Sequence, residues 1–312
     1  MENLEIIALG HILNEKIIFP DKEISPVLGS PVAYSASCMA SLGRKIGIVS
    51  KIGKDFPKNL LNIFNQLAID QDGIKLGKYS TNNELIYNKK GNKIVKFITK
   101  ADNIFFDDIP ITYLNAEIFF ICPMDYEIDI QTIKKIYETG KIMAVDIGGY
   151  GGSTSATYPE EKSGYGIQEL CPFFDIVKGS IEDYSHIFGI GAGNEKEISQ
   201  KIIEWGAKIS LITLGAKGSF IKTQKKEYYI PAFPTPLDKI VDRTGAGDCF
   251  SAGFLAHFLL EGDPYTSAIY ASATTSYVIE RSGGVVLKRM PSKKKVEQRV
   301  KVINNLMKNS DD

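Results

Sequence analysis

The run VDRTGAGDCFSAGFLAHFLL, residues 241–260, sets two glycines, an alanine and an aspartate directly ahead of an apolar stretch. Apolar residues at 250, 254, 255, 258 and 259 form a helical stripe. Gly245, Ala246 and Gly247 therefore lie at a helix N-terminus, where backbone amides lack intrahelical acceptors. With the helix dipole they form an anion site suited to a phosphoryl group. Asp248 follows at once, and the same dipole favours its ionised form, which can accept a proton. One short segment thus offers an anion cradle and a base. On these residues alone, a capped helix behind a tight loop remains the plainer alternative.

From Asp242 to Phe250 the chain reads D-R-T-G-A-G-D-C-F. This resembles the second signature of the ribokinase-like, or PfkB, carbohydrate kinases, D-T-x-G-A-G-D-x-F, with only the residue after Asp242 unusual. The resemblance implies an ATP-dependent phosphotransferase. Asp248 would be the catalytic base, and Gly245, Ala246 and Gly247 the oxyanion hole. LGSPVAYSASCMASLG (28–43), followed by IGKD (52–55), resembles the first signature. Ser35 stands there in place of an asparagine that helps bind sugar in the family. LITLGAKGSF (211–220) resembles the nucleotide segment T-x-G-x-x-G, which implies that Thr213, Gly215 and Gly218, with Thr244, contact ATP. VKGSIEDY (177–184) lies where the family has K-x-N-x-x-E, with Lys178 kept and Ser180 and Asp183 replacing the asparagine and glutamate. That element implies Lys178 beside the nucleotide and Asp183 holding Mg²⁺ through water. The family also commonly uses a monovalent cation, K⁺. Its site would be the backbone of Asp242 and Thr244 with the turn RSGG (281–284).

The acceptor is expected near the N-terminus, with His11, Asn14, Ser30, Ser35 and Asp248 as its contacts. Family members place a carboxylate after the first strand in a G-x-x-x-x-D pattern. Here Gly10 is followed by HILNEK, with Asn14 nearest and Glu15 beside it. A sugar phosphate would need several cations, and Arg44, Lys51 and Lys54 read as surface. A neutral hydroxylated acceptor, a small sugar or polyol, is therefore favoured. A nucleoside is the alternative, with Phe19, Tyr34 or Phe97 as stacking surfaces for its base. A non-catalytic ligand-binding protein on the same fold is the rival class, motivated by Ser35 and Ser180.

The elements that must position these groups follow an α/β rhythm. LEIIALG (4–10), KIGIVSKIG (45–53), AEIFFICP (116–123), KIMAVDIGG (141–149), FFDIVKGS (173–180) and KISLITLG (208–215) read as short buried strands. Helical stretches lie between them, such as 31–42, 128–139 and 194–206, and a surface helix spans 293–308. This predicts an α/β fold, a mostly parallel central sheet flanked by helices with ligands beyond the strands' carboxyl ends, and the resemblance implies that it is ribokinase-like. Residues 74–99 alternate apolar and polar around KKGN (89–92), which is hairpin grammar. With 11–28 they are expected to form a small β-sheet lid within one kinase domain spanning 1–312. By resemblance, a homodimer would pair through that lid.

Lys and Arg total 37, matched by 37 Asp and Glu, so no net field draws nucleic acid or an anionic membrane. The basic run 288–301 reads as a solvated helix face. Cys38, Cys122, Cys171 and Cys249 form no CxxC and sit in apolar surroundings, as buried free thiols do. His11, His186 and His257 lack ligand spacing. The start MENLEIIALG lacks a secretory pattern and no run is long enough for a membrane span, so a cytoplasmic home is expected. There is no G-x-x-x-x-G-K-[ST] loop and no G-x-S-x-G elbow, and GYGG and GIGAGN lack the strand–helix context of a dinucleotide site.

Overall fold

The structure, a computed structural model, describes residues 3–89, 93–155 and 166–308. With elements numbered along the chain, strand β1 (Ile6–Leu9) shows why the fold has three layers. All four residues are buried. Ile6 and Ala8 enter one core cluster, and Ile7 and Leu9 enter another. Successive side chains of a strand point to opposite faces, so a strand apolar on both faces needs helices on both.

Among the described residues the large sheet has nine strands. Their order is β13 (Glu227–Ile230), β12 (Ser219–Thr223), β11 (Ile209–Thr213), β10 (Ile176–Ser180), β9 (Ile142–Asp146), β8 (Ile118–Ile121), β1, β4 (Ile46–Ile52) and β5 (Asp70–Leu76). The pairings β11–β12 and β12–β13 are antiparallel and the others parallel. One face is covered by α1 (Pro31–Ser41), α2 (Asn62–Gln66), α7 (Ala246–Glu261), α8 (Pro264–Val278) and α9 (Lys293–Lys308). The other is covered by α3 (Ile130–Tyr137), α4 (Ile167–Leu170), α5 (Ile181–Phe188) and α6 (Glu195–Glu204). Each fully buried Phe or Ile on these faces, such as Phe254 or Ile133, contributes roughly 1.5–3 kcal/mol. Helix α8 is buried from Ser267 to Thr274 and has no polar face, so periodicity gives it no signature. Its buried Thr274 and Ser276 hydroxyls bond back to the carbonyls of Tyr270 and Ala273.

Among the described residues the second sheet has four strands, β3 (Glu23–Gly29), β2 (Leu13–Ile18), β6 (Thr81–Tyr87) and β7 (Lys93–Thr99). Two hairpins join along a parallel β2–β6 seam. The predicted lid segment 74–99 starts too early, because residues up to Leu76 belong to β5 of the large sheet. Of the predicted KKGN turn, residues 90–92 lie outside the described residues. The four cysteines are free and buried. Among the described residues, no helix is long and apolar enough to cross a membrane.

Candidate active site

The carboxyl ends of β9, β10 and β11, the start of α7 and the inner face of the small sheet enclose one cavity of about 1050 Å³. Asp248 is the third residue of α7 and lines it. The turn before α7 needs Gly245, whose φ of 78° is left-handed and whose missing Cβ would meet the Tyr34 ring at 2.4 Å. The Ala246 amide is taken by the Arg243 carbonyl at 3.1 Å, and the first bond inside the turn runs from Cys249 N–H to Gly245 O. Ala246 is thus a poorer anion donor than predicted. Gly247 and Asp248 follow it in the first turn and line the cavity.

Lys178, the penultimate residue but one of β10, brings its ammonium to 3.1 Å from where a Gly247 Cβ would sit. It pairs with Asp146 at 2.6 Å. Burial alone would lower its pKa, but the carboxylates of Asp146, Asp183 and Asp248 more than reverse this, and the ammonium is held above its ordinary value. A fixed positive charge therefore stands beside the anion cradle, as a transferring phosphoryl group requires. Thr213, Gly215 and Gly218 line the same cavity at the end of β11, where a nucleotide would reach it. Thr244 lines it too, but its hydroxyl is engaged by Tyr87 of the small sheet at 2.8 Å. Burial pushes the Tyr87 pKa up to about 12, so its hydroxyl stays protonated beside Thr244.

Asp183 lines the cavity as predicted, yet its carboxylate is already saturated. Oδ2 accepts from the Ser180 N–H and Oγ, both at 2.7 Å, while Ser180 Oγ accepts the Asp183 amide in return. Oδ1 accepts from Ser153 N–H and Oγ at 2.8 and 2.7 Å. This is a capping box at the start of α5. It makes Asp183 a scaffold carboxylate rather than the acceptor of metal-bound water. Glu182, one residue earlier and exposed on the cavity wall, is the better placed group. Among the described residues no cluster of His, Cys, Asp or Glu could cage a metal. A largely hydrated Mg²⁺ held by nucleotide phosphates needs only one or two carboxylates, and the residues fit that mode.

Of the predicted acceptor contacts, only Ser30 and Asp248 line the cavity. Ser30 caps α1 through the Ala33 amide and holds a strained φ of 108°. Ser35 is fully buried and donates to the Asp248 carbonyl instead. Asn14 sits on the wrong side of β2. Leu13, Glu15 and Ile17 point inward, so the alternation presents Glu15 to the cavity and turns Asn14 toward Asn82. His11 is fully buried outside the cavity, with Nε2 on the Asp102 carbonyl and Nδ1 on the Thr81 hydroxyl. Of the predicted aromatics, Tyr34 lines the cavity, while Phe19 stacks behind Tyr87 at 5.1 Å. Arg44 and Lys51 are tied to Glu5 and Asp108, away from the cavity.

The sequence profile of the pfkB family carbohydrate kinases matches residues 33–289. The cytidine kinase of Thermococcus kodakarensis is 31% identical over 82% of this chain and 88% of its own. The chain belongs to the PfkB carbohydrate kinase family. Arabidopsis thaliana ribokinase, solved with ribose and ATP, superposes with a TM-score of 0.76 at 21% identity, covering 96% of this chain and 99% of that one. An Escherichia coli structure described as a ribokinase II, in complex with ATP and Mg²⁺, gives 0.76 at 19% identity, over 96% and 99%. The fold is therefore ribokinase-like, and the chain is an ATP-dependent kinase of the PfkB family.

Several of the kinase's cavity groups were not anticipated. Asn83 on β6 lies opposite Glu15 in the parallel seam and lines the cavity beside Leu85. It is 3% exposed, and neither its amide oxygen nor its nitrogen meets a partner among the described residues. Its signal was parity: Thr81, Asn83 and Leu85 share the buried face of the strand. Tyr87 closes that face onto Thr244. Asp146, at the end of β9, was hidden in an ordinary strand terminus.

Proposed function

We propose that this kinase transfers the γ-phosphoryl group of ATP to a hydroxyl of a small sugar or polyol. The observation that carries this reading is the place of Asp248. It sits in one cavity with the Lys178 ammonium on its α7 side and the polar Glu15–Asn83 pair on the lid side. An acceptor hydroxyl beside Asp248 loses its proton to that carboxylate as its oxygen bonds to phosphorus. The bond from phosphorus to the ADP oxygen breaks in line. The amides of Gly247 and Asp248, with Lys178, stabilise the charge on the transferring group. Magnesium, facing Glu182 through water, would neutralise charge on the nucleotide phosphates. Thr213, Gly215 and Gly218 line the nucleotide end, and the small sheet acts as a lid that excludes water. In this conformation the lid touches the anion loop through Tyr87 and Thr244.

A nucleoside is the second reading. Tyr34, Leu85, Tyr87 and Val95 give the lid end of the cavity apolar walls that suit a base, and one relative is named a cytidine kinase. The homodimer expected through the lid has a matching surface in β7, where Ile94 and Ile98 are 68% and 54% exposed on the outer face. The test is ADP release and product mass with Mg²⁺, ATP and a panel of sugars, inositols and nucleosides. One phosphorylated sugar or polyol supports the first reading, and nucleoside monophosphate alone replaces it with the second. Ligand binding without any phosphorylated product favours a non-catalytic binding protein.

A further inference from the structure

The K⁺ site implied by resemblance needs backbone carbonyls of Asp242, Thr244 and the 281–284 turn open toward a cation. Those oxygens already converge on a side chain. Arg289 is fully buried, although it belongs to a run that reads as a solvated basic face. Its Nη2 donates to Thr244 O at 2.7 Å, to Asp242 O at 3.2 Å and to Val278 O at 3.1 Å. Nη1 donates to Gly284 O at 3.1 Å and to the Tyr34 hydroxyl at 2.8 Å, and Nε donates to Val278 O at 3.2 Å. The Asp242 carboxylate lies 3.6 Å from Nη1 and balances the charge. An arginine stays charged when buried, and a buried charge must be paired and hydrogen-bonded. A second cation on the same carbonyls would face an immobile positive group at low dielectric, so the residues present do not fit K⁺.

We propose that Arg289 is a built-in cation that takes the place of a monovalent ion in aligning the anion loop, so that the kinase works without K⁺ or Na⁺. Through Thr244 O and Asp242 O it fixes the two residues that lead into Gly245. Through the Tyr34 hydroxyl it holds the ring that packs on Gly245. Both paths end at the first turn of α7, which carries Asp248. Arg289 touches no reacting atom in this scheme and is a positioning residue. The proposal rests on the kinase reading for its effect on rate, but not for its effect on cation binding.

The experiment replaces potassium chloride by tetramethylammonium chloride at constant ionic strength, with two readouts on the wild-type protein. The thermal midpoint should be the same in both salts, and so should kcat, within about twofold. A saturable rise of the midpoint with K⁺ or Na⁺, or a saturable activation of about tenfold or more, overturns the proposal. If no acceptor is phosphorylated in either salt, the kinase reading fails, and the midpoint still decides the fate of the cation claim. Arg289→Ala should lower kcat on the order of 10²-fold with little change in acceptor KM, and millimolar guanidinium or K⁺ should restore part of it. Wild-type kcat in that variant contradicts the positioning role.

Discussion

Ser35 donates its hydroxyl to the main-chain carbonyl of Asp248 at 3.1 Å, which ties α1 directly to the first turn of α7. Ser35 is fully buried and does not line the cavity, so its contact lies behind the proposed base. Ser35→Ala should lower stability by about 1 kcal/mol, and kcat by roughly tenfold at most, with the acceptor KM unchanged. Denaturant unfolding and steady-state kinetics check this. A raised KM at unchanged stability would return Ser35 to the acceptor site.

Asn83 keeps a buried amide with no partner among the described residues, and a satisfied fold would not choose that. Asn83→Leu keeps the branched outline at Cγ and removes the unmet polar atoms. It should raise the unfolding free energy of the ligand-free protein by about 1 kcal/mol and raise the acceptor KM by roughly ten- to a hundredfold. Loss of stability with an unchanged KM would mean that the amide serves the lid's own packing.

What the sequence made legible was set by local grammar. The Gly245–Asp248 cradle is contiguous and followed by a helix, so its chemistry shows in the order of residues. The parallel strands show as apolar runs such as IFFI at 118–121. The lid contacts depend on strand parity, and one step of register exchanges Asn14 for Glu15. The apolar Leu13 and Ile17 flanking Glu15 carried that signal. Arg289 lay beyond reach, because its five acceptors come from α1, the anion loop, the end of α8 and the 281–284 turn. A run of basic residues looks the same whether one of them turns inward or none does. The Ser180–Asp183 pair is read equally well as a metal element or a capping box, and only the filled hydrogen bonds choose.

His11 sits at the base of the lid strands, bridging Thr81 at the start of β6 and Asp102 after β7. Burial lowers its pKa, with the Glu127 carboxylate only partly opposing. The folded state thus resists a proton that the unfolded chain binds near pH 6.5. Stability should be full above about pH 6.5 and fall as the pH drops from there toward the depressed folded value, by about 1.4 kcal/mol per unit of displacement. His11→Gln should flatten that slope in denaturant unfolding across the window. An unchanged slope would assign the acid sensitivity elsewhere.

The most direct test of Asp248 as the base is Asp248→Asn, assayed by mass spectrometry of the phosphorylated acceptor beside a thermal melt and ATP binding. The side chain stays polar and similar in size, so the melt and the ATP affinity should match the wild type. Turnover should fall by roughly 10²- to 10⁴-fold, the worth of a positioned base. A near-wild-type rate of acceptor phosphorylation would contradict the role given to Asp248, and with it the mechanism built on the start of α7.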